Sequence, residues 1–249
     1  MKTENNFATV ENSGLAGSGD PEIPDAAYYQ GQRQEMLAFI PKDARRFVEL
    51  GCGAGGFSAL LRETRRDSYI IGIEIHRESA QEARKRLDQV IEQPVETALE
   101  SIPAGSIDCV ICNDVLEHLV DPWAVLRQVK KILKPEGAVV SSIPNVRHFP
   151  VFKSYLIQGD WRYEKWGVLD RTHLRFFTKS SIERMFSETG FRTSRIEGIF
   201  GQPLPWKAAL LNLFLGGKLT DMQYERFACV ALPNSPTGDQ ADAMSFDTH

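Results

Sequence analysis

Residues Phe47-Val48-Glu49-Leu50-Gly51-Cys52-Gly53-Ala54-Gly55-Gly56 constrain this chain more than any other stretch. Phe47 to Leu50 is apolar enough for a short buried strand, four glycines crowd the next six positions, and Phe57 to Arg66 is long enough for a helix. A strand that enters a helix through glycines leaves free N–H groups at the helix N-terminus and lets a ligand approach the main chain closely. The stretch therefore predicts a nucleotide-type cofactor.

Its spacing fits two signatures. Gly51, Gly53 and Gly56 satisfy G-x-G-x-x-G, the dinucleotide fingerprint, a weak signal standing alone. Glu49, Gly51, Gly53 and Gly55 satisfy E-x-G-x-G-x-G, and in these residues the chain resembles the class I S-adenosylmethionine-dependent methyltransferases. The acidic residue decides between the two. A carboxylate in the turn repels a pyrophosphate but attracts the ammonium and sulfonium of S-adenosylmethionine. The resemblance runs over roughly residues 28–200 and implies a Rossmann-like α/β fold, with a seven-stranded, mostly parallel sheet, helices on both faces and the last strand antiparallel. It also implies that Glu49, Gly51, Cys52, Gly53, Gly55, Ile75 and Asn113 contact the cofactor. Tyr69 to Ile75 is a second strand, apolar on both faces. Glu74, near its end, is placed to accept both ribose hydroxyls, as the family uses this position. NAD would use it equally well.

Between and beyond these motifs the chain alternates helix and strand. Pro24 to Ile40 reads as a helix whose Tyr29 or Arg33 meets the cofactor's carboxylate if, as in related enzymes, this segment closes the site. His76 to Val90 reads as a charged helix with a Glu82–Arg86 pair, and the third strand falls around Val90–Val95. Pro94 stands where the family often has an acid for the adenine amino group, so Glu96 is the substitute. Ile107 to Asp114 is the fourth strand. Asp121-Pro122 caps a helix over Trp123–Leu133, Lys134-Pro135-Glu136-Gly137 stops it, and Ala138 to Ile143 is the fifth strand. The N-D-x-L-E-H segment with the helix after it resembles the family's motif beyond the cofactor turn and argues against a dehydrogenase. Ser180–Thr189 is a helix, Phe191–Gly198 the sixth strand and Glu225–Leu232 the antiparallel seventh. Trp206–Leu215 is an apolar helix expected mainly in the core, with a dimer contact or a peripheral membrane contact through 204–215 as the other readings.

Three stretches carry the candidate chemistry. If the segment after the fourth strand makes one helical turn, Asp114 and His118 share a face, and His118 can act as a general base. No metal is expected. Residues 144–178 interrupt the alternation where the family places its substrate-binding insertion, and Arg147, His148, Trp161, Tyr163, Trp166 and Arg171 offer stacking faces and anion-binding forks. Within it, Trp166 to Thr178 resembles the G-x-L-D-x-T-H-L-R-F-F-T signature of methyltransferases associated with polysaccharide assembly. There His173, oriented by Asp170, is the second candidate base.

Composition narrows the surroundings. The 249 residues, 42% hydrophobic and 25% charged, suit one large domain, expected over 24–233, with disorder over 1–23 and 234–249. The net charge of −4 gives no reason to expect nucleic acid. Without a transmembrane run or signal peptide, the expected compartment is the cytoplasm. Cys109 and Cys112 lie three apart on one strand, so they point to opposite faces and are expected as buried thiols. The expected reaction is transfer of a methyl group from S-adenosylmethionine to a hydroxyl on a sugar or glycan intermediate, with a homodimer possible. A small aromatic or quinone-type hydroxyl is the alternative, since the E-H segment also resembles ubiquinone-pathway O-methyltransferases. An NAD-dependent oxidoreductase and a catalytically silent cofactor-binding protein are the readings from other classes.

Overall fold

A computed structural model of the chain describes residues 33–234. The positions expected for Tyr29, for a helix beginning at Pro24, for 1–23 and for the tail past Asn234 lie outside the described residues. Gln34–Phe39 is a short 3₁₀ helix at the end of the helix expected there.

The strands are β1 (Arg46–Leu50), β2 (Tyr69–Ile73), β3 (Gln89–Ile91), β4 (Ile107–Asn113), β5 (Leu133–Pro144), β6 (Phe191–Gly201) and β7 (Tyr224–Pro233). They form one sheet in the order β3-β2-β1-β4-β5-β7-β6. Neighbours from β3 to β5 run parallel, and β7 lies antiparallel between β5 and β6, as expected. The chain winds outward from β1 to β3 and then returns to β4. The direction of winding thus reverses between β1 and β4, where a sheet of this kind opens a crevice beyond its carboxyl ends.

The helices are α1 (Gly56–Thr64), α2 (Arg77–Ala83), α3 (Val95–Ala98), α4 (Pro122–Ile132), α5 (Phe149–Lys153), α6 (Lys179–Glu188) and α7 (Trp206–Phe214). Alternate residues of the central strands feed two separate apolar clusters. Val48, Leu50, Val110 and Cys112 join one, and Phe47, Ile70, Cys109 and Ile111 join the other. A strand covered on both faces has no polar side to show, which explains the unbroken apolar runs. Cys109 and Cys112 are buried, reduced and on opposite faces.

Three elements depart from expectation. The helix expected over 76–90 ends at Ala83. Leu87 turns inward, where it would touch any side chain placed on Gly55 or Gly72, and Asp88 accepts the Ile70 N–H (2.8 Å) and pairs with Arg62 (2.6 Å). Burying Leu87 and docking Asp88 on the sheet edge outweighs another helical turn. Glu82 consequently pairs with Lys85 (2.6 Å), while Arg86 reaches the Ala54 carbonyl. The Lys134–Gly137 stretch is a bulge inside β5: the pairing steps from Ile107↔Leu133 to Cys109↔Ala138, and Lys134 pairs with Asp108 (2.6 Å). Finally, α7 has no buried residue, so it is not a core helix.

Candidate active site

The glycine turn sits at the crevice between β1 and β4. Gly51 takes a left-handed backbone (φ 60°), and a Cβ there would lie 2.8 Å from the Val115 side chain, so the turn presses flat on the chain leaving β4. Gly53, also left-handed, donates its N–H to Glu74 Oε2 (2.8 Å), and Glu74 Oε1 accepts the His76 N–H (2.7 Å). Two backbone donors thus hold one carboxylate in a fixed orientation. Glu49 is buried and accepts a hydrogen bond from the Ser58 hydroxyl. Burial pushes its carboxyl up to about 8 against the help of Ser58, so near neutrality it holds a proton until a cation offsets its desolvation. Gly55 does not face the site. It caps α1 with its Cα side toward Ala83 and Leu87, and Gly56 lines the cavity in its place.

A cavity of about 1410 Å³ opens over this turn, larger than one drug-sized ligand needs. Glu49, Gly51, Cys52, Gly53, Glu74, Ile75, Glu96 and Asn113 all line it, from the ends of β1, β2 and β4 and from α3. Both polar atoms of the Asn113 amide are buried without a hydrogen-bond partner, the mark of a group kept for a ligand. Two carboxyls, an unsatisfied amide and a wall of glycine backbone fit the ammonium, the ribose and the amino-acid end of S-adenosylmethionine. They do not suit the pyrophosphate of a dinucleotide.

The other half of the cavity was less legible. Among the described residues, the non-glycine positions with left-handed backbones are Arg33 (φ 43°), Asp114 (φ 53°) and Phe200 (φ 54°), and all three line this half. Backbone strain of this sort costs energy and collects at functional sites. Asp114 pairs with Arg33 and with Arg226 (3.3 Å) and accepts from the Ser142 hydroxyl (2.9 Å). Both guanidinium groups lie 5.9 Å from the Phe200 ring centre. Asp114 is therefore the hub of an ion network rather than an available base. Its left-handed backbone also prevents the single helical turn expected from 114 to 118; only Leu116–His118 is helical, as a 3₁₀ turn.

The two histidines meet edge to face, with ring centres 4.7 Å apart. His173 Nδ1 lies 3.0 Å from the Val168 carbonyl, and His118 Nδ1 lies 3.3 Å from the Thr172 carbonyl and 3.2 Å from its hydroxyl. A carbonyl only accepts, so both rings carry hydrogen on Nδ1 and the lone pair on Nε2. Contrary to the expectation from sequence, Asp170 does not orient His173. It accepts from the Thr172 hydroxyl (2.6 Å) and N–H (2.8 Å), and so acts on His118 through Thr172. Burial lowers the pKa of His118 and takes His173 down to about 4, leaving both rings neutral at pH 7.

Glu117 lies beside them, 1% exposed, with both carboxyl oxygens lacking a hydrogen-bond partner. Burial raises its pKa to about 8, with Arg226 and Arg33 pulling the other way. Its carbonyl accepts the Leu174 and Arg175 N–H groups (2.8 and 3.0 Å), which joins the E-H turn to the T-H-L-R stretch. The ligand atoms of Glu117, His118 and His173 lie within 4.8 Å of one another. The Glu117–His173 separation of 4.0 Å is wider than the ~3.4 Å between neighbouring ligands of a tetrahedral ion at about 2.1 Å, so the three groups do not stand at coordination spacing.

Of the substrate residues read from the insertion, only Trp166 reaches the cavity. Arg147 is spent on Asp221 (3.0 Å) and the Lys218 carbonyl (2.9 Å), and His148 caps α5. Trp161 packs edge-on against Phe176 in a small apolar cluster. Tyr163 and Arg171 are exposed away from the cavity lining. The residues sequence reading missed are Thr172, Phe200, Gln202, Glu225 and Arg226. Glu225 and Arg226 left a signal, as charges at the start of the otherwise apolar β7 run.

Known proteins share this fold. A family model described as a methyltransferase domain matches residues 26–195. A ubiquinone biosynthesis O-methyltransferase of Psychrobacter arcticus is 32% identical over 187 residues, covering 71% of this chain and 70% of that protein. One from Aeromonas salmonicida is 27% identical, covering 72% and 74%. A crystal structure of a SAM-dependent methyltransferase from Archaeoglobus fulgidus superposes with a TM-score of 0.59 at 21% identity, over 82% of this chain and 96% of that one. Domain model, fold and cofactor cavity coincide: the chain belongs to the class I S-adenosylmethionine-dependent methyltransferases.

Proposed function

We propose that this enzyme O-methylates a small aromatic, quinone-type hydroxyl, in preference to the sugar hydroxyl favoured by its insertion motif. The similarity to ubiquinone biosynthesis O-methyltransferases carries the reading. The acceptor half of the cavity supports it: Val115, Leu119, Phe200 and Trp166 supply apolar and aromatic faces, while the arginines and tryptophans expected to hold a glycan lie mostly elsewhere. The catalytic unit would be one domain over 24–233, in the cytoplasm.

When bound, the cofactor supplies an electrophilic methyl group on a sulfonium. Glu74, through its remaining lone pairs, would hold the ribose. Glu49 would lose its proton to solvent and face the ammonium, Asn113 would satisfy its amide on the ligand, and Ile75 and Glu96 would flank the adenine. His118 accepts the acceptor's hydroxyl proton at Nε2, and the Asp170–Thr172 chain keeps its Nδ1–H pointed away. Glu117, protonated and buried, closes the floor beside His173. Arg33 and Arg226, paired with Asp114, Glu35 and Glu225, form an ion network along this wall whose guanidinium N–H groups can face an acceptor oxygen gaining negative charge. Positioning the two reacting centres supplies much of the acceleration.

The test is methyl transfer from isotopically labelled cofactor to a panel of catechols, hydroquinones, nucleotide-linked sugars and lipid-linked sugars. Label in the phenols is expected. Label in sugars alone would overturn the acceptor assignment and return the glycan reading.

A further inference from the structure

Helix α7 is almost wholly apolar, and among the described residues none of its side chains is buried. Trp206 is 72% exposed and Phe214 80%, with Leu210, Leu211 and Leu213 exposed between them. A helix apolar all round is normally buried in a larger core or in lipid. Its nine residues span about 14 Å, far short of a bilayer core. No helix among the described residues is long and apolar enough to cross a membrane. The surface must therefore meet its partner side-on.

Charge narrows the choice of partner. The chain as a whole carries more acids than bases, 33 against 29. Yet residues 198–220 contain two lysines, Lys207 and Lys218, and no acid. A second exposed apolar stretch, Tyr155-Leu156-Ile157, follows Lys153 in a segment, 144–159, that also lacks any acid. Arg147, at the base of α5, binds the Lys218 carbonyl and Asp221, so the loop after α7 is stapled to the start of that segment. Exposed aromatics and leucines flanked by lysines of one sign match the boundary of an anionic bilayer. A second copy of the chain fits less well, because a two-fold contact would bring both copies' Lys207 and Lys218 into one interface where 198–220 supplies no acid to meet them.

We infer that α7, with Lys207 and Lys218, docks the enzyme on an anionic lipid surface. Phe200, Gly201 and Gln202 line the cavity, and α7 begins only a few residues later at Trp206, so docking sets the cavity mouth at the lipid boundary. That use of the contact, passing an apolar acceptor from lipid into the cavity, rests on the proposed phenolic acceptor. The contact itself does not.

The experiment is flotation of the full chain with vesicles of phosphatidylcholine alone or mixed with phosphatidylglycerol. Flotation is expected with the mixed vesicles, lost in Leu213→Glu/Phe214→Glu and weakened roughly fivefold per lysine in Lys207→Gln and Lys218→Gln. Binding of S-adenosylhomocysteine and the melting temperature should match the parent in every variant, since α7 buries nothing. A chain that stays behind with both vesicle types overturns the inference, as does a Leu213→Glu/Phe214→Glu variant that floats like the parent. Self-association that Phe214→Glu abolishes, without flotation, assigns the helix to a second copy instead. Failure of docking leaves phenol methylation in solution intact, whereas failure of the acceptor assignment leaves flotation intact.

Discussion

At the scale of single residues, the hydrogen-bond direction at His118 carries the chemistry. Thr172 holds the ring with its carbonyl and hydroxyl, and its hydroxyl is held in turn by Asp170. His118→Ala is expected to lower kcat by ~10²–10⁴, the usual share of a general base, with cofactor affinity little changed. Thr172→Val keeps the carbonyl and loses the hydroxyl, a difference of about 1 kcal/mol or roughly fivefold in kcat with KM held. Thr172→Ser restores the rate. Nitrogen-15 spectra of the ring should show the Nδ1–H tautomer in the parent, with its population reduced in Thr172→Val. An unchanged kcat in Thr172→Val would remove Asp170 and Thr172 from the mechanism.

At the scale of elements, the outer half of the sheet rests on a ring over glycine. A Cβ added to Gly198 in β6 would come 2.0 Å from Tyr224 Cγ, and one on Gly201 would come 3.0 Å from the same ring. β6 pairs with β7 alone, and Phe200 lies between those glycines on the way to the cavity. Gly198→Ala should therefore cost about 1–3 kcal/mol by overpacking, a loss of roughly 2–4 °C in melting temperature per kcal/mol for a chain of this size. Tyr224→Ala alone should also destabilise. The double variant should fall short of the summed losses, because removing the ring removes the clash. Strict additivity would show that the ring does not sit on Gly198.

For the whole molecule, the two buried glutamates set the response to pH. The folded values of Glu49 and Glu117, about 8, lie above the ordinary carboxylate value, so their stabilisation is complete below about 4.5 and lost as pH rises through about 8. The three histidines with lowered values act in the opposite sense, but their contribution is already complete above about 6.5. Asp88 and Asp108, also lowered, change only at still lower pH. Between pH 6.5 and 8 the melting temperature of the cofactor-free enzyme should accordingly fall. Glu49→Gln and Glu117→Gln should each remove part of the fall, and the double variant should flatten it. A melting temperature that rises across this window would show that the carboxyls are ionised in the fold.

The glycine turn, Glu49, Glu74 and the apolar strands were legible in the sequence because each depends on neighbours a few positions away: a strand's unbroken apolar run, a turn's need for left-handed backbone, a carboxyl at a strand end; the antiparallel direction of β7 came only from the resemblance to the family. The cofactor half of the site follows from such features, and the structure gathers those residues around one cavity. The acceptor half is assembled from residues 33, 114, 172, 200 and 226, and nothing local says that these meet. Residues 144–178 have little regular period, so sequence could not show that Arg147 and Trp161 pack away from the cavity or that Asp170 serves His118 through Thr172. The same holds for α7: an apolar helix reads as core, and only tertiary packing, which buries none of its side chains among the described residues, makes it surface.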